Sequence, residues 1–360
     1  VIGSRGIPAQ YSGVERVIEE VCKRLGDKGY EFSVYGWRQY ARAQGSLPSS
    51  LKLFYLPTLS FRYLGTPVNT LLSIFHAQMQ GVDIIHLHSL SPAFFSFLPR
   101  LFGKKCVVTI HALDWKRKKW GWIGKLLLRL GELSAMIFAH QVVVVSHSIK
   151  NYYEKSYRRK IIFIPNGVSS KEKAPPSDAL DKFGLTPGAY LLFVGRIVPE
   201  KGPHYLITAF KEAGLETDLA IVGKPSFTHS YLRYLRKISP PRVKFLGEVR
   251  GESLHALYAY ASLFVLPSDV EGCPLSLLEA LSWGTPVLTS DIPECREIVR
   301  EIGHTFPGGD RKELRKKIEV LIKKNTGEGE KKKIREEIRQ RYSWDKLSRE
   351  WEKVYQSLIS

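Results

Sequence analysis

The feature that most limits how this chain can fold is a regular alternation of short, unbroken apolar runs with longer amphipathic stretches. The runs are VDIIHLHS (82–89), CVVTIHA (106–112), QVVVVS (141–146), KIIFIP (160–165), AYLLFVG (189–195), TDLAIVG (217–223), RVKFLG (242–247), LFVLPS (263–268) and PVLTSD (286–291). They are rich in Val, Ile, Leu and Phe and lack strict polar alternation, which suits strands buried on both faces of a parallel sheet. Helical patterns lie between them. Over 14–25, Val14, Val17, Ile18, Val21 and Leu25 share one face, which Arg16, Glu19, Glu20, Lys23 and Arg24 largely avoid. The order is βαβα, so the class is α/β with doubly wound parallel sheets.

A chain of 360 residues exceeds one ordinary core and suits two domains. The alternation breaks once, at NGVSSKEKAPPSDALDKFGLTPGA (166–189), where Pro, Gly, Ser and charge separate two apolar runs. The expected organisation is a first domain over 1–165, a linker over 166–188 ending in a short helix, a second domain over 189–340, and a terminal helix over 341–360 crossing back to the first domain. Two such sheets would leave a cleft along the carboxyl ends of their strands, where open α/β sheets receive ligands. The opening VIGSRG reads as the end of a strand whose beginning is missing, so a trimmed N-terminus is expected.

Lys and Arg number 54 against 35 Asp and Glu, a formal net charge of +19. That balance favours an anionic partner, whether nucleic acid, an acidic membrane surface or a phosphorylated small molecule, and does not choose among them. Cys22, Cys106, Cys273 and Cys295 form no C-x-x-C pair, which argues against a zinc or redox motif and for a reduced compartment. The apolar stretch 84–99 is interrupted by Pro92, Pro99 and two histidines, and no charge-free run reaches membrane-spanning length. A cytoplasmic location is expected, either free or peripheral on the cytoplasmic face of the membrane.

Three stretches carry candidate chemistry. In GRIVPEKG (195–202), Arg196 and Lys201 follow a strand end, where Arg can fork onto phosphate oxygens and Lys adds a point charge; solvated loop charges would look the same. In SDVEGCPLSLLEALSWG (268–284), a loop leads into a helix closed by Gly284 and Pro286. Free N–H groups around Cys273 to Ser276 would offer a polar-group site, and Glu271 and Glu279 could each accept from a sugar diol. Glu279 could equally be a surface charge or complete a capping box with Ser276. In GSRGIPAQYSGVE (3–15), Ser12 and Glu15 fit a capping box and Gly13 permits close approach of a phosphate. The dinucleotide Gly-x-Gly-x-x-Gly pattern is missing, so an NAD site is poorly supported.

His111 ends the run CVVTI and could line the cleft beside a sugar, although a lone His is more often structural; for His86 and His88 the structural reading is preferred. The segment WKRKKWGWIGKLLLRLGELSAMIF (115–138) interleaves Trp115, Trp120 and Trp122 with five basic residues before turning amphipathic. It fits an anionic membrane surface, or a loop and core-facing helix with Leu127, Leu130 and Ser134 inside. Nucleic-acid stacking is less favoured, since no recognised binding module is present.

In combination, GRIVPEKG, FLGEV and EGCPLSLLEALSWGTPV resemble the retaining nucleotide-sugar glycosyltransferases of family four, whose signature is Glu271-x7-Glu279 here. SRGIPAQYSGVE and TIHALDWKRKKW are similar to the subgroup associated with rhamnosyl and related transfer in surface polysaccharide synthesis. The resemblance implies the GT-B fold, with two Rossmann-like domains facing across a cleft. It also implies hexosyl transfer from a nucleoside-diphosphate sugar to a hydroxyl, on a sugar or a lipid-linked acceptor. On that basis Arg196 and Lys201 would hold the diphosphate, and Glu271 the donor sugar. Gly272, Cys273, Pro274 and Leu275 would surround sugar and phosphate through the backbone, and Glu279 would take the ribose. The backbone at Glu248 and Val249 would meet the base, Gly13 would approach the β-phosphate, and His111 would orient the sugar. Pro274 departs from the family pattern and lacks an N–H. No Asp-x-Asp pair is present, so no metal and no cofactor are expected. The alternatives are a GT-B sugar-nucleotide epimerase, for which no poised carboxylate stands out, and a basic nucleic-acid or membrane-binding protein without turnover.

Overall fold

The computed structural model describes residues 1–9, 13–38, 48–57, 65–117, 120–169, 173–226, 228–324 and 326–359. Ser12, Lys118, Lys119 and residues 170–172 of the expected linker lie outside them. The chain divides into two compact units, Val1–Gly167 with Trp344–Ser360, and Val168–Ser343.

In the first unit the apolar runs become parallel strands, as bilateral burial demands. β1 (Phe32–Trp37) pairs with β2 (Leu51–Leu56), and β3 (Ile84–His88), β4 (Lys105–Ile110), β5 (Gln141–Val144) and β6 (Ile162–Phe163) form a second sheet in that order. Ile2 stitches the two together. It bridges Leu87 in parallel, while the Val1 carbonyl accepts from the Tyr35 N–H at 3.0 Å. The helices are α1 (Gly13–Gly26), α2 (Gly65–Met79), α3 (Leu90–Ala93), α4 (Phe97–Leu101), α5 (Trp122–Phe138) and α6 (His147–Tyr157). Right-handed crossovers between successive parallel strands place α2 to α6 on one face of the sheet.

The second unit is a six-stranded parallel sheet. Its strands are β7 (Tyr190–Val194), β8 (Asp218–Val222), β9 (Val243–Gly247), β10 (Leu263–Leu266), β11 (Val287–Ser290) and β12 (His304–Phe306), in spatial order β12-β11-β10-β7-β8-β9. Its helices are α7 (Pro203–Ala213), α8 (His229–Ile238), α9 (Gly251–Ala259), α10 (Leu275–Ser282), α11 (Pro293–Val299), α12 (Arg311–Leu321) and α13 (Glu328–Tyr342). The helical tail breaks at Ser343. Beyond it α14 (Trp344–Ile359) belongs to the first unit and packs on α1, with Trp351 and Tyr355 buried.

Three sequence expectations change. KIIFIP is a strand only at Ile162–Phe163, and β1, β2 and β12 were not foreseen. Lys52 breaks the apolar run of β2, and β12 is only three residues long. The core side of α5 also differs. Leu127 and Leu130 are 50% and 40% exposed, whereas Leu128, Gly131, Glu132, Ser134 and Ala135 are buried. The reason is backbone proximity: a Cβ on Gly131 would stand 2.1 Å from the Leu90 carbonyl oxygen. Only a face of small residues lets α5 approach α3 that closely.

Candidate functional site

In the second unit the chain steps from β7 to β8 to β9 along one edge, then returns to place β10 on the other side of β7. The carboxyl ends of β7 and β10 therefore flank the topological switch point, where such sheets bind ligands. The loop after β7 carries Arg196 and Lys201; the loop after β10 carries Glu271. Gly202 lets these loops touch. Its φ is +69°, and a Cβ there would meet the Pro267 carbonyl oxygen at 1.9 Å, which no other residue tolerates. The Asp269 N–H donates to the Glu200 carbonyl at 2.9 Å, tying the loops again.

Lys201 Nζ donates to Glu271 Oε1 at 2.5 Å, with the two side chains only 16% and 7% exposed. Arg196 is half-buried on the same loop as Lys201. Beside them burial pushes the Cys295 thiol well above its usual range, and the charge of Glu271 adds to the effect. A second glycine shapes the rim: Gly223, at φ +146°, would place a Cβ 1.8 Å from the Gly195 carbonyl oxygen.

Gly272, Cys273 and Pro274 are buried, and Leu275 opens α10 half-buried. Pro274 is the N-cap, without a side-chain cap. Its carbonyl takes the N–H groups of Leu277 and Leu278 at 3.2 Å each. The Leu275 and Ser276 N–H groups fall in the helix's first turn, outside the intrahelical ladder. Ser276 is thus inside the helix, and the capping box with Glu279 does not form. Glu279 Oε2 instead accepts from the Tyr258 hydroxyl at 3.0 Å. Desolvation raises the pKa of that buried phenol well above its ordinary value, and the Glu279 charge raises it further. Tyr258 therefore stays a donor. Glu248 is held by Lys224 and by Arg250, whose Nε lies 3.1 Å from Glu248 Oε1. Partial burial pushes this carboxyl up, but the hydrogen bonds from Lys224 and Arg250 prevail and its pKa is lowered. The Glu248 side chain is thus engaged, and the half-buried Val249 follows it on the backbone.

Gly13 and His111 lie in the first unit. Gly13 is the exposed first residue of α1, two residues before the buried Glu15. An acid there suits the positive end of a helix. The switch point of this sheet lies between Ile2 and β3, where Gly3, at φ +112°, would place a Cβ 2.5 Å from the His88 carbonyl oxygen. His88 Nδ1 is 2.9 Å from His111 Nε2. His86 Nδ1 is 2.8 Å from the Tyr355 hydroxyl, and its Nε2 is 2.7 Å from Thr109 Oγ1. Desolvation lowers His86 and His88 well below the usual histidine value and lowers His111 to about 4. All three are neutral imidazoles at pH 7.

Sequence reasoning missed Gly223 and Tyr258, gave Gly202 no role, and preferred a structural reading for His88. The spacing His86-x-His88 on a strand already put both rings on one face. Trp115, weighed above as a membrane or stacking residue, is engaged elsewhere: its Nε1 donates to Glu132 Oε2 at 2.8 Å, and the Arg129 guanidinium lies 3.4 Å from its ring centroid.

A family model described as Glycosyltransferase Family 4 matches residues 11–172, and one described as Glycosyl transferases group 1 matches residues 181–341. The chain therefore consists of a family 4 glycosyltransferase domain followed by a group 1 glycosyltransferase domain. The glycosyltransferase is 29% identical to the UDP-Gal:alpha-D-GlcNAc-diphosphoundecaprenol alpha-1,3-galactosyltransferase of Escherichia coli, over 78% of this chain and 76% of that one. Its fold is that of sucrose-phosphate synthase from Thermosynechococcus elongatus, with a TM-score of 0.85 at 20% identity, covering 99% of this chain and 98% of that one. Anabaena HepE in complex with UDP and glucose is similar with a TM-score of 0.79 at 19% identity, covering 98% of each chain. The fold is GT-B, with two Rossmann-like domains.

Proposed function

We propose that this glycosyltransferase moves a hexosyl group from a nucleoside-diphosphate sugar to an acceptor hydroxyl with retention of configuration, in the synthesis of a cell-surface polysaccharide or glycolipid. The observation that carries the reading is the Lys201–Glu271 contact of 2.5 Å at the switch point, with Arg196 on the same loop. Cations at strand ends suit a diphosphate, and an adjoining carboxylate suits sugar hydroxyls.

In this reading the bond from the anomeric carbon to the phosphate oxygen breaks while the acceptor oxygen bonds to that carbon on the same face. The bonding pair leaves with the nucleoside diphosphate, whose departing oxygen receives the acceptor proton. Arg196 and Lys201 stabilise the growing charge, so this chemistry is assigned to side chains without a metal. The Leu275 and Ser276 N–H groups add the helix-start field. Glu271 holds sugar hydroxyls and Glu279, backed by Tyr258, takes the ribose. Neutral His111 and the α1 start at Gly13 are assigned to the sugar and β-phosphate. The relative from E. coli is named for a UDP-sugar donor and a lipid-diphosphate acceptor, and HepE was crystallised with UDP and glucose. These support a uridine nucleotide as the first donor to try.

The test is a thermal-shift screen over nucleoside diphosphates, followed by turnover of the matching nucleotide sugars. A bound product raises the apparent melting temperature by mass action. Replacing Arg196 or Lys201 by Ala should abolish that shift, because a charge-assisted hydrogen bond contributes about 1.5–3 kcal/mol, or roughly tenfold and more in affinity. Retained shifts and turnover within about threefold of the parent, well inside that loss, would refute the diphosphate assignment. Salt-sensitive polyanion binding without turnover would favour a binding protein instead.

A further inference from the structure

We propose that the first unit docks on an anionic lipid bilayer through the outer face of α2, α4 and α5. Of the 14 large hydrophobic side chains exposed among the described residues, 11 lie on these three helices. On α5, Trp122, Ile123, Leu126, Leu127, Leu130 and Ile137 are between 40% and 76% exposed. At 3.6 residues per turn they fall within an arc of roughly 140°. On α2 and α4, Phe75, Met79 and Leu101 are 51%, 82% and 73% exposed. α4 packs beside α5, and α3 links α5 to α2, so the exposed side chains belong to one helical layer. Soluble monomers rarely expose so much contiguous apolar surface without a partner.

Charge identifies the partner. Across α2, α3, α4 and α5 there is a single acidic residue, Glu132, and its side chain is wholly buried. Lys125 borders the apolar arc, Arg129 beside it is paired with Glu132, and Lys116, Arg100 and Lys105 are exposed nearby in sequence. A second copy meeting this face through a two-fold axis would set cation against cation with no acid to offset them. Anionic headgroups offset them, while the apolar side chains enter the acyl boundary, as for an amphipathic helix lying in the interface. No helix among the described residues is long and apolar enough to cross a membrane; this face lies on one. The proposal does not depend on the donor site, since none of these residues belongs to it.

The experiment is flotation of the full chain with phosphatidylcholine vesicles, with and without phosphatidylglycerol. The parent should float with the anionic vesicles and about tenfold less with phosphatidylcholine alone. The double variant Ile123→Asp/Leu127→Asp should lose flotation about tenfold or more. Lys125→Glu should weaken only the anionic component. These positions are exposed, so melting temperature and the nucleoside diphosphate shift should match the parent. Sedimentation of the parent without lipid accompanies the assay. Absence of flotation overturns the proposal, as does equal flotation of parent and double variant. So does a dimer of the parent that the double variant abolishes.

Discussion

His88 Nδ1 stands 2.9 Å from His111 Nε2, each at the carboxyl end of its own strand. Between two neutral rings one nitrogen must donate and the other accept, so this contact couples the tautomers of the two. It leaves His111 Nδ1 as the atom available to a ligand. His88→Ala should therefore lower kcat with little change in nucleoside diphosphate affinity, and His88→Asn should recover part of the loss. Steady-state kinetics and product-binding titrations separate the two quantities. A variant that lost both equally would make His88 merely structural.

Acid should destabilise the first unit through its histidines. The folded values of His86 and His88 lie well below 6.5, so below pH 6.5 the unfolded chain binds more protons than the folded one. Stability from these groups is complete above about pH 6.5 and is lost as pH falls, by about 1.4 kcal/mol per pH unit for each ring. Urea melts between pH 7.5 and 5 should show this slope, and His86→Gln should remove one proton's share.

Glu271 and Lys201 make a buried pair, so the replacement matters. Glu271→Ala strands an uncompensated ammonium and should cost about 3–5 kcal/mol of stability. Glu271→Gln keeps an acceptor but not the charge, so it should cost less than Ala while still falling below the parent, and should lose sugar transfer. The double variant Glu271→Leu/Lys201→Met should regain stability and remain inactive. Denaturant unfolding paired with a turnover assay reads all three.

Gly202→Ala should do more than the usual strain of a left-handed position. Its Cβ would collide with the Pro267 carbonyl, separating the two loops that bear Lys201 and Glu271. The expected result is a loss exceeding the ordinary ~1 kcal/mol for this conformation, together with weaker product binding, measured by calorimetry.

Glu132 has side-chain donors on three segments: Trp115, Arg129, Tyr152, Tyr153 and Tyr157, at 2.8 to 3.4 Å. Glu132→Ala should orphan several of them at about 1–3 kcal/mol each for the buried ones, and Glu132→Gln should cost much less. Thermal unfolding distinguishes them.

Much of the architecture was legible because buried parallel strands leave continuous apolar runs, as TDLAIVG and AYLLFVG show. β1 and β2 were not, since Gly36 and Lys52 interrupt their patterns. The motif-bearing loops could be found because Arg196, Lys201, Glu271 and Glu279 sit where a strand gives way to a helix. Their pairings could not. Whether Lys201 meets Glu271 depends on the order of β7 and β10 in the sheet, which local sequence does not encode. The exposed side of α5 was equally hidden. Leucine at helical spacing usually means core, and only the closeness of Gly131 to Leu90 turns the small residues inward.

The first unit's chain is discontinuous, and that sets an order of events during synthesis. A ribosome that has released the chain through Ser343 has delivered all of the second unit, but not the helix whose Tyr355 hydroxyl meets His86. The later-encoded unit can thus mature first, while the earlier one waits with its α1 surface uncovered. Nascent chains halted before Trp344 should engage holdase chaperones through that surface, and release them once α14 emerges.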